Sequence, residues 1–374
     1  MRFEISKDSL LYHLIIAQKA LSTKTPNPAL TGIKIDAADG KIAITTSNGD
    51  ISIHVTIEDP SVVIDAPGSM LVPGKYLVEI VRKLESPIVT LSVVDQNLLR
   101  IEADRSDITL NLFDLDDYPA LQFKTQEDFI NVNVRTFKTL IRQTAFAAST
   151  IENRPILTGV NLKLEGNALK AVATDSYRLS QKAIELKQNY TSMNVIVPSK
   201  SLEELLRVLE NNQVDIELHF NQNSVLFKYQ NILFRSRLLE GNYPETAKLI
   251  PKEFGTTIVF NKEQLQTAID RASLLSYRDG QNAIVKLNLR EDDVVEISSN
   301  SPEIGRVLEE VYPVAEVVGK PLKIAFSSKY LIEALKVFNS SEVSIAFTGE
   351  IRPFVVTGEF DPQMLQLILP MKTD

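Results

Sequence analysis

A chain of 374 residues without a single cysteine can hold no disulfide, thiolate nucleophile or Cys-built zinc site. With 44% hydrophobic and 24% charged residues it has the composition of a globular protein, and no apolar run is long enough to cross a bilayer. The formal net charge of −8, taken as a mean, argues against binding a phosphate backbone, which needs clustered Lys and Arg.

Met1-Arg-Phe-Glu-Ile5 alternates as a strand does and lacks a signal peptide's apolar core, so a cytoplasmic protein is expected. Ser6 is a good N-cap for a helix running through Leu21. Ile42-Ala-Ile-Thr-Thr-Ser-Asn-Gly49 reads as a strand entering a turn. Met70-Leu-Val-Pro-Gly-Lys75 leads into a second helix through Leu84, with Leu77, Ile80, Val81 and Leu84 on one face. Lys75 and Glu79 are spaced as an i, i+4 pair. An alternating strand, Ile88–Val93, follows, and Asp117-Tyr118-Pro119 closes the segment.

The same order then begins again. Val132-Asn-Val-Arg135-Thr-Phe opens a helix through Ala148, with Arg135 placed at its start. Leu169–Ser176 repeats the strand and turn, Val195–Leu209 the strand and second helix, and Asn242-Tyr243-Pro244 the close. A third round starts at Ile258, with Asn261 as N-cap and a helix through Leu275. It continues through Val294–Ser301 and Ile324–Phe338. Lys75, Lys200 and Lys329 lie 125 and 129 residues apart, each with Leu two on and Glu four on. Shared α/β periodicity alone does not reproduce three echoes at near-constant spacing. The expected fold is α+β: three repeats, each with two helices on antiparallel sheets, spanning 1–122, 128–249 and 254–374.

Charge is sorted onto these helices. The windows 7–24, 75–84, 135–149, 200–209, 262–278 and 329–338 hold 16 Lys+Arg and 7 Asp+Glu, whereas the rest holds 24 and 41. Glu forms helices as well as Lys does, so propensity does not explain the bias. If the helices face one way, a positive surface lies inside an acidic exterior. No helix carries a dense Arg/Asn/Gln set for base reading, so the contact expected is with phosphates and independent of sequence.

Signs of catalysis are few. His13, His54 and His219 have no metal-ligand spacing and no Ser-His-Asp set is evident. Asp116-Asp117 and Glu291-Asp292-Asp293 sit in turn-like segments. Pro73-Gly74-Lys75 lacks the first Gly and the hydroxyl residue of a P-loop. No cofactor and no metal are expected.

Thr174-Asp-Ser-Tyr-Arg-Leu179, Glu152-Asn-Arg-Pro-Ile-Leu157, Leu71-Val-Pro-Gly-Lys75 and the C-terminal Leu369-Pro-Met-Lys372, in this order on a threefold frame, carry a resemblance. The chain resembles the bacterial DNA polymerase III beta subunit family, the DNA sliding clamps, over its whole length. That resemblance implies a non-catalytic processivity factor: a head-to-tail homodimer closed into a pseudo-sixfold ring around duplex DNA. It implies that replicative polymerase, clamp loader and repair proteins dock through short apolar peptides. The matching pocket positions are Leu157, Thr174, Ser176, Tyr177, Arg178, Leu179, Pro244, Lys248, Leu249, Ser327, Tyr330, Leu367, Ile368, Leu369, Pro370 and Met371. Leu, Pro and Met suit an adaptable apolar lining, and Thr174, Ser176 and Arg178 offer polar groups to a peptide backbone. Many relatives have Gly at the position of Ser176 and Arg at that of Lys248. The basic positions matching the family's DNA-facing set are Lys24, Lys75, Lys200 and Arg278, and the acid-free window 135–149 adds Arg135, Lys138 and Arg142 as expected DNA-facing cations. The subunit joint would bring Ile80, Ile108 and Leu110 to Leu274 and Leu275, with Arg100 or Arg105 near Glu303, Glu309 or Glu310. The alternative is a repeat scaffold that binds proteins only and has no use for sorted charge.

Overall fold

The computed structural model describes residues 1–22, 25–95, 97–276, 278–279 and 282–372. Six α-helices lie among the described residues: α1 (Lys7–Ala17), α2 (Gly74–Lys83), α3 (Val134–Arg142), α4 (Ser199–Val208), α5 (Lys262–Ser273) and α6 (Ser328–Lys336). They fall in the six predicted windows but end earlier. Short 3-10 turns, Gln18–Ala20 and Ala145–Ala147, follow α1 and α3. No described helix is long and apolar enough to cross a membrane.

The caps follow chemistry. Ser9 N–H points to Ser6 Oγ at 3.5 Å, and Gln264 N–H donates to Asn261 Oδ1 at 3.0 Å. The middle repeat corrects the placement of Arg135. Asn133 takes the capping position, its Oδ1 accepting Arg135 N–H at 3.1 Å, and Arg135 is the second helical residue. Lys75, Lys200 and Lys329 are each the second residue of α2, α4 and α6. The i, i+4 pair expected on α2 is not formed; Glu79 turns instead to Arg82, and Glu204 to Arg207 at 2.7 Å. A Glu placed N-terminal to its cation suits the helix dipole, which disfavours a cation in the first turn.

By contacts the chain forms two compact units, Met1–Arg135 with Lys200–Leu238, and Thr136–Ser199 with Leu239–Asp374. In the first, one antiparallel sheet runs Val63–Ala66, Arg2–Ser6, Ile88–Asp95, Leu98–Ala103, Ser106–Asn111. A second, eight-stranded sheet runs Ile130–Asn133, Asp215–Asn221, Ser224–Tyr229, Ile232–Arg237, Ile51–Ile57, Lys41–Ser47, Gly32–Ala38, Gly68–Pro73. Strands of the first and second repeats thus share a ladder, with Phe234 opposite Ile53. Such pairing leaves no open edge between the repeats.

The second unit repeats this device. Its nine-stranded sheet runs Met193–Pro198, Gly159–Glu165, Ala168–Thr174, Arg178–Glu185, Met364–Ile368, Phe354–Thr357, Glu342–Phe347, Thr256–Asn261, Val318–Gly319. Here Arg178–Glu185 pairs with Met364–Ile368, Leu179 opposite Leu367. In the first unit Leu10, Leu14 and Ala17 of α1 and Leu77, Val78 and Val81 of α2 join Phe3, Ile35, Ile44 and Leu91 of the strands in one core. Leu265, Ala268 and Ile269 of α5 and Leu331 and Leu335 of α6 do the same in the second. Each such aliphatic chain contributes about 1.5–3 kcal/mol on burial, against about 0–1 kcal/mol for an exposed ion pair. The apolar stripes therefore set the helix positions, and the outward face is left to carry charge.

Candidate functional site

The turn after Thr174 organises the second unit's surface. Asp175 Oδ1 accepts the N–H groups of Tyr177 (2.9 Å) and Arg178 (3.0 Å), and Thr174 Oγ1 donates to Arg178 O at 2.6 Å. These bonds deliver Arg178 inward, its side chain only 9% exposed. Its Nε donates to Asp175 Oδ2 at 3.0 Å, one terminal nitrogen to Glu333 Oε2, and the other to Phe146 O at 2.9 Å. The guanidinium lies 5.3 Å from the Phe146 ring centroid and 4.7 Å from that of Tyr330. Tyr330 in turn stacks on Tyr177 at 6.4 Å. Glu333 on α6, the third repeat's counterpart of Glu79 and Glu204, has thus left its own helix for Arg178.

This corrects one expectation. The polar groups of Thr174 and Arg178 are engaged inside the chain, so they shape the wall and do not wait for a peptide backbone. The physical reason is burial: a guanidinium this enclosed needs partners for its donors.

Beside this wall lies an apolar cluster of Val172, Leu179, Val355 and Leu367, with Tyr243, Ile250, Leu365 and Leu369 packed against it. Tyr243 ties it down: its hydroxyl accepts Thr174 N–H at 3.0 Å, and burial pushes that hydroxyl well above the usual phenol range. The C-terminal segment is sewn on by backbone bonds. Leu369 N–H donates to Tyr177 O at 2.9 Å and Met371 N–H to Ala325 O at 2.7 Å. So Thr174, Tyr177, Arg178, Leu179, Tyr330, Leu367, Leu369 and Met371 are brought together. Leu157 and Ser327 are buried, and Leu249 is 54% exposed on the 3-10 turn Thr246–Leu249. Lys248 pairs with Glu245 on the surface. Val172, Tyr243, Ile250 and Val355 were not singled out from sequence. The repeated Tyr-Pro was the available signal for Tyr243.

Ser176 has φ +80°, a left-handed backbone that favours glycine. Replacing it by Gly should stabilise the second unit by about 0.5–1 kcal/mol, less the entropy glycine adds to the unfolded chain. Urea unfolding of the two proteins checks this; a destabilised S176G would show that the serine's own contacts outweigh the strain.

The helix faces carry the cationic positions. Lys75, Arg142 and Lys200 are exposed and form no ion pair among the described residues; Arg135 is exposed too. Lys138 is a correction. It is 5% exposed because it shares the buried face of α3 with Val134, Phe137 and Ile141, and it is not a free cation. Lys24 lies outside the described residues, and Arg278 sits in the short strand Arg278–Asp279. Of the candidate joint residues, Ile80, Ile108 and Leu110 are partly buried against the first unit's core, and Leu274 is 72% exposed. Arg100 is held by Asp107 through two bonds of 2.9 and 2.7 Å, and Glu309 by Arg271 through two of 2.8 and 2.6 Å. Those bonds hold the Asp107 and Glu309 carboxyls below their usual range. No group of described His, Asp or Glu residues could hold a metal ion.

Comparison with known proteins covers the whole chain. Residues 1–122, 131–245 and 247–372 match the N-terminal, central and C-terminal domains of the DNA polymerase III beta subunit. The beta sliding clamp of Bacillus subtilis (strain 168) is 43% identical, and that of Staphylococcus aureus (strain Mu50) 42%, over 100% of each chain. The crystal structure of the B. subtilis DNA polymerase sliding clamp superposes with a TM-score of 0.96 at 43% identity, covering 100% of both chains. That of the Streptococcus pyogenes beta subunit gives 0.95 at 37% identity over the same full coverage.

Proposed function

The chain belongs to the DNA polymerase III beta subunit family, and as a sliding clamp, a non-catalytic processivity factor, we propose that it acts as a head-to-tail homodimer closed around duplex DNA. Three clamp domains per chain, each with two helices on antiparallel sheets, supply half of a six-domain ring. We assign their limits to 1–122, 128–249 and 254–374. The joint would use Ile80, Ile108 and Leu110 on one end and Leu274 and Leu275 on the other. Leu274, at 72% exposed, is accessible to such a partner.

Sequence-independent contact with DNA fits the cationic helix faces of an otherwise acidic chain. The observation that carries this reading is the trio of exposed, unpaired Lys75, Arg142 and Lys200, on α2, α3 and α4. Retention by enclosure needs no tight grip, and weak phosphate contacts leave the ring free to slide. Replacing all three by Ala should lower the slope of log K against log salt by about 2–3, at roughly 0.9 per phosphate contact. Fluorescence anisotropy on a short duplex measures it; an unchanged slope would remove these residues from the DNA-facing set and favour a protein-only scaffold.

For partner proteins, the apolar cluster around Leu179 and Leu367, walled by Tyr177, Tyr330 and Arg178, is the proposed dock for short apolar peptides. Replicative polymerase, clamp loader and repair proteins would share it, which makes their binding exclusive at one clamp face.

A further inference from the structure

A cavity of about 610 Å³ lies in the first unit, between the outer face of the eight-stranded sheet and the segment 115–123. Its floor is polar. Lys34 and Asp36 stand side by side, Nζ to Oδ2 3.2 Å, with side chains 34% and 32% exposed. His54 Nδ1 meets Thr45 Oγ1 at 2.9 Å. With the hydroxyl donating there, His54 Nε2–H is a donor without a partner among the described residues. Its roof is apolar, from Leu121 and Phe123, the latter ring 5.4 Å from His54.

The cavity's place in the repeat is informative. Aligning Ile42–Gly49 with Leu169–Ser176 sets Thr45 on Val172, and Tyr118-Pro119 falls on Tyr243-Pro244. Val172 and Tyr243 belong to the apolar cluster of the second unit. The first repeat thus keeps the same corner but has Thr45 where the second has Val172, and Lys34, Asp36 and His54 where the second has Asn161, Lys163 and Gln181.

We propose that this cavity is a second docking site, for a short peptide segment presenting one apolar side chain beside a backbone amide. An amide offers a C=O to Lys34 and His54 and an N–H to Asp36 at once, which a purely apolar or purely anionic ligand does not. Leu121 and Phe123 receive the side chain. The volume accommodates a few residues, not a helix.

The cavity shares no residue with the pocket of the second unit, and one titration tells the two apart. The probe is N-acetyl-leucine N-methylamide, titrated into the full chain with ¹³C-labelled histidine; the chain has only three, His13, His54 and His219. The His54 signal should shift saturably with a dissociation constant on the order of 1 mM, as suits a ligand of this size. Lys34→Met and Asp36→Asn, both at partly exposed positions, should each weaken it roughly tenfold. Tyr177→Ala, in the proposed peptide pocket, should leave the shift intact. Absence of saturation, indifference to both cavity variants, or loss of the response in Y177A would each overturn the proposal.

Discussion

Alanine at position 361 should cost the second unit about 3–5 kcal/mol, the range for stripping a buried charge from its partners. Asp361 is 1% exposed and accepts five hydrogen bonds. They come from Asn339 N–H (2.8 Å) and Nδ2 (2.9 Å), Ser340 N–H (2.9 Å) and Oγ (2.8 Å), and Gln143 Nε2 (2.9 Å). Gln143 follows α3 in the second repeat and also donates to Val337 O at 2.8 Å, while its own carbonyl accepts Ser180 Oγ–H at 2.5 Å. One carboxylate therefore pins an α3 neighbour to the end of α6. In D361A the part-buried N–H of Asn339 and the buried N–H of Ser340 lose their acceptor, and a buried donor left uncompensated costs about 1–3 kcal/mol. Hydrogen exchange reads this locally: the amides of Asn339 and Ser340 should lose most of their protection.

The same residue sets an acid limb. Burial alone would raise its pKa, but the hydrogen bonds outweigh it and hold the carboxyl below the usual range. Its folded value thus lies under the unfolded value of about 3.9, so its stabilisation is complete above roughly pH 4 to 5 and fades as pH falls through the folded value. D361N has no such titration. The stability gap between wild type and D361N should shrink below about pH 4; a constant gap would mean that folding does not shift this carboxyl's pKa.

Arg178→Ala should be the most damaging change at the proposed peptide site. It leaves Asp175, with a side chain 13% exposed, without its cation, and it unseats Tyr330. Glu333 is 33% exposed and can turn to water, which places the stability loss near the low end, about 3 kcal/mol. Binding suffers for a separate reason. The Tyr177–Tyr330 stack and the Leu369–Tyr177 bond both hang on the turn that Arg178 anchors. A short apolar peptide should bind at least about tenfold more weakly to R178A, equivalent to about 1.4 kcal/mol. R178K should recover little, because Lys lacks the planar fork that serves two carboxylates and a carbonyl together. Affinity within twofold of wild type in a thermally intact R178A would place the peptide site elsewhere.

Much of this frame was legible from residue patterns, for a physical reason. Helix stripes such as Leu77, Ile80, Val81 and Leu84 and caps such as Ser6 and Asn261 are encoded locally, so the repeat and its six helices could be read directly. Partner choice is not local. That Glu333 leaves α6 for Arg178, while Glu79 and Glu204 stay on their own helices, depends on which residue the neighbouring repeat offers. The first repeat has Ile51 where the second has Arg178. The charge of a helix does not show which face each cation shares, so the burial of Lys138 is not legible in it. The Asp361 node carried no signal, since its donors come from positions 143, 339 and 340, and only the fold gathers them. At the candidate pocket, the C-terminal Leu-Pro-Met was informative because chain ends are seldom apolar.

The ring is the central claim, and enclosure gives it a direct test. Fluorescent protein is loaded by a clamp loader onto nicked circular duplex, freed of the loader by gel filtration, and followed after a single restriction cut. The account predicts long retention on the circle and rapid loss once the DNA is linear, with retention restored by blocking both ends. Equal retention on circular and linear DNA would contradict it.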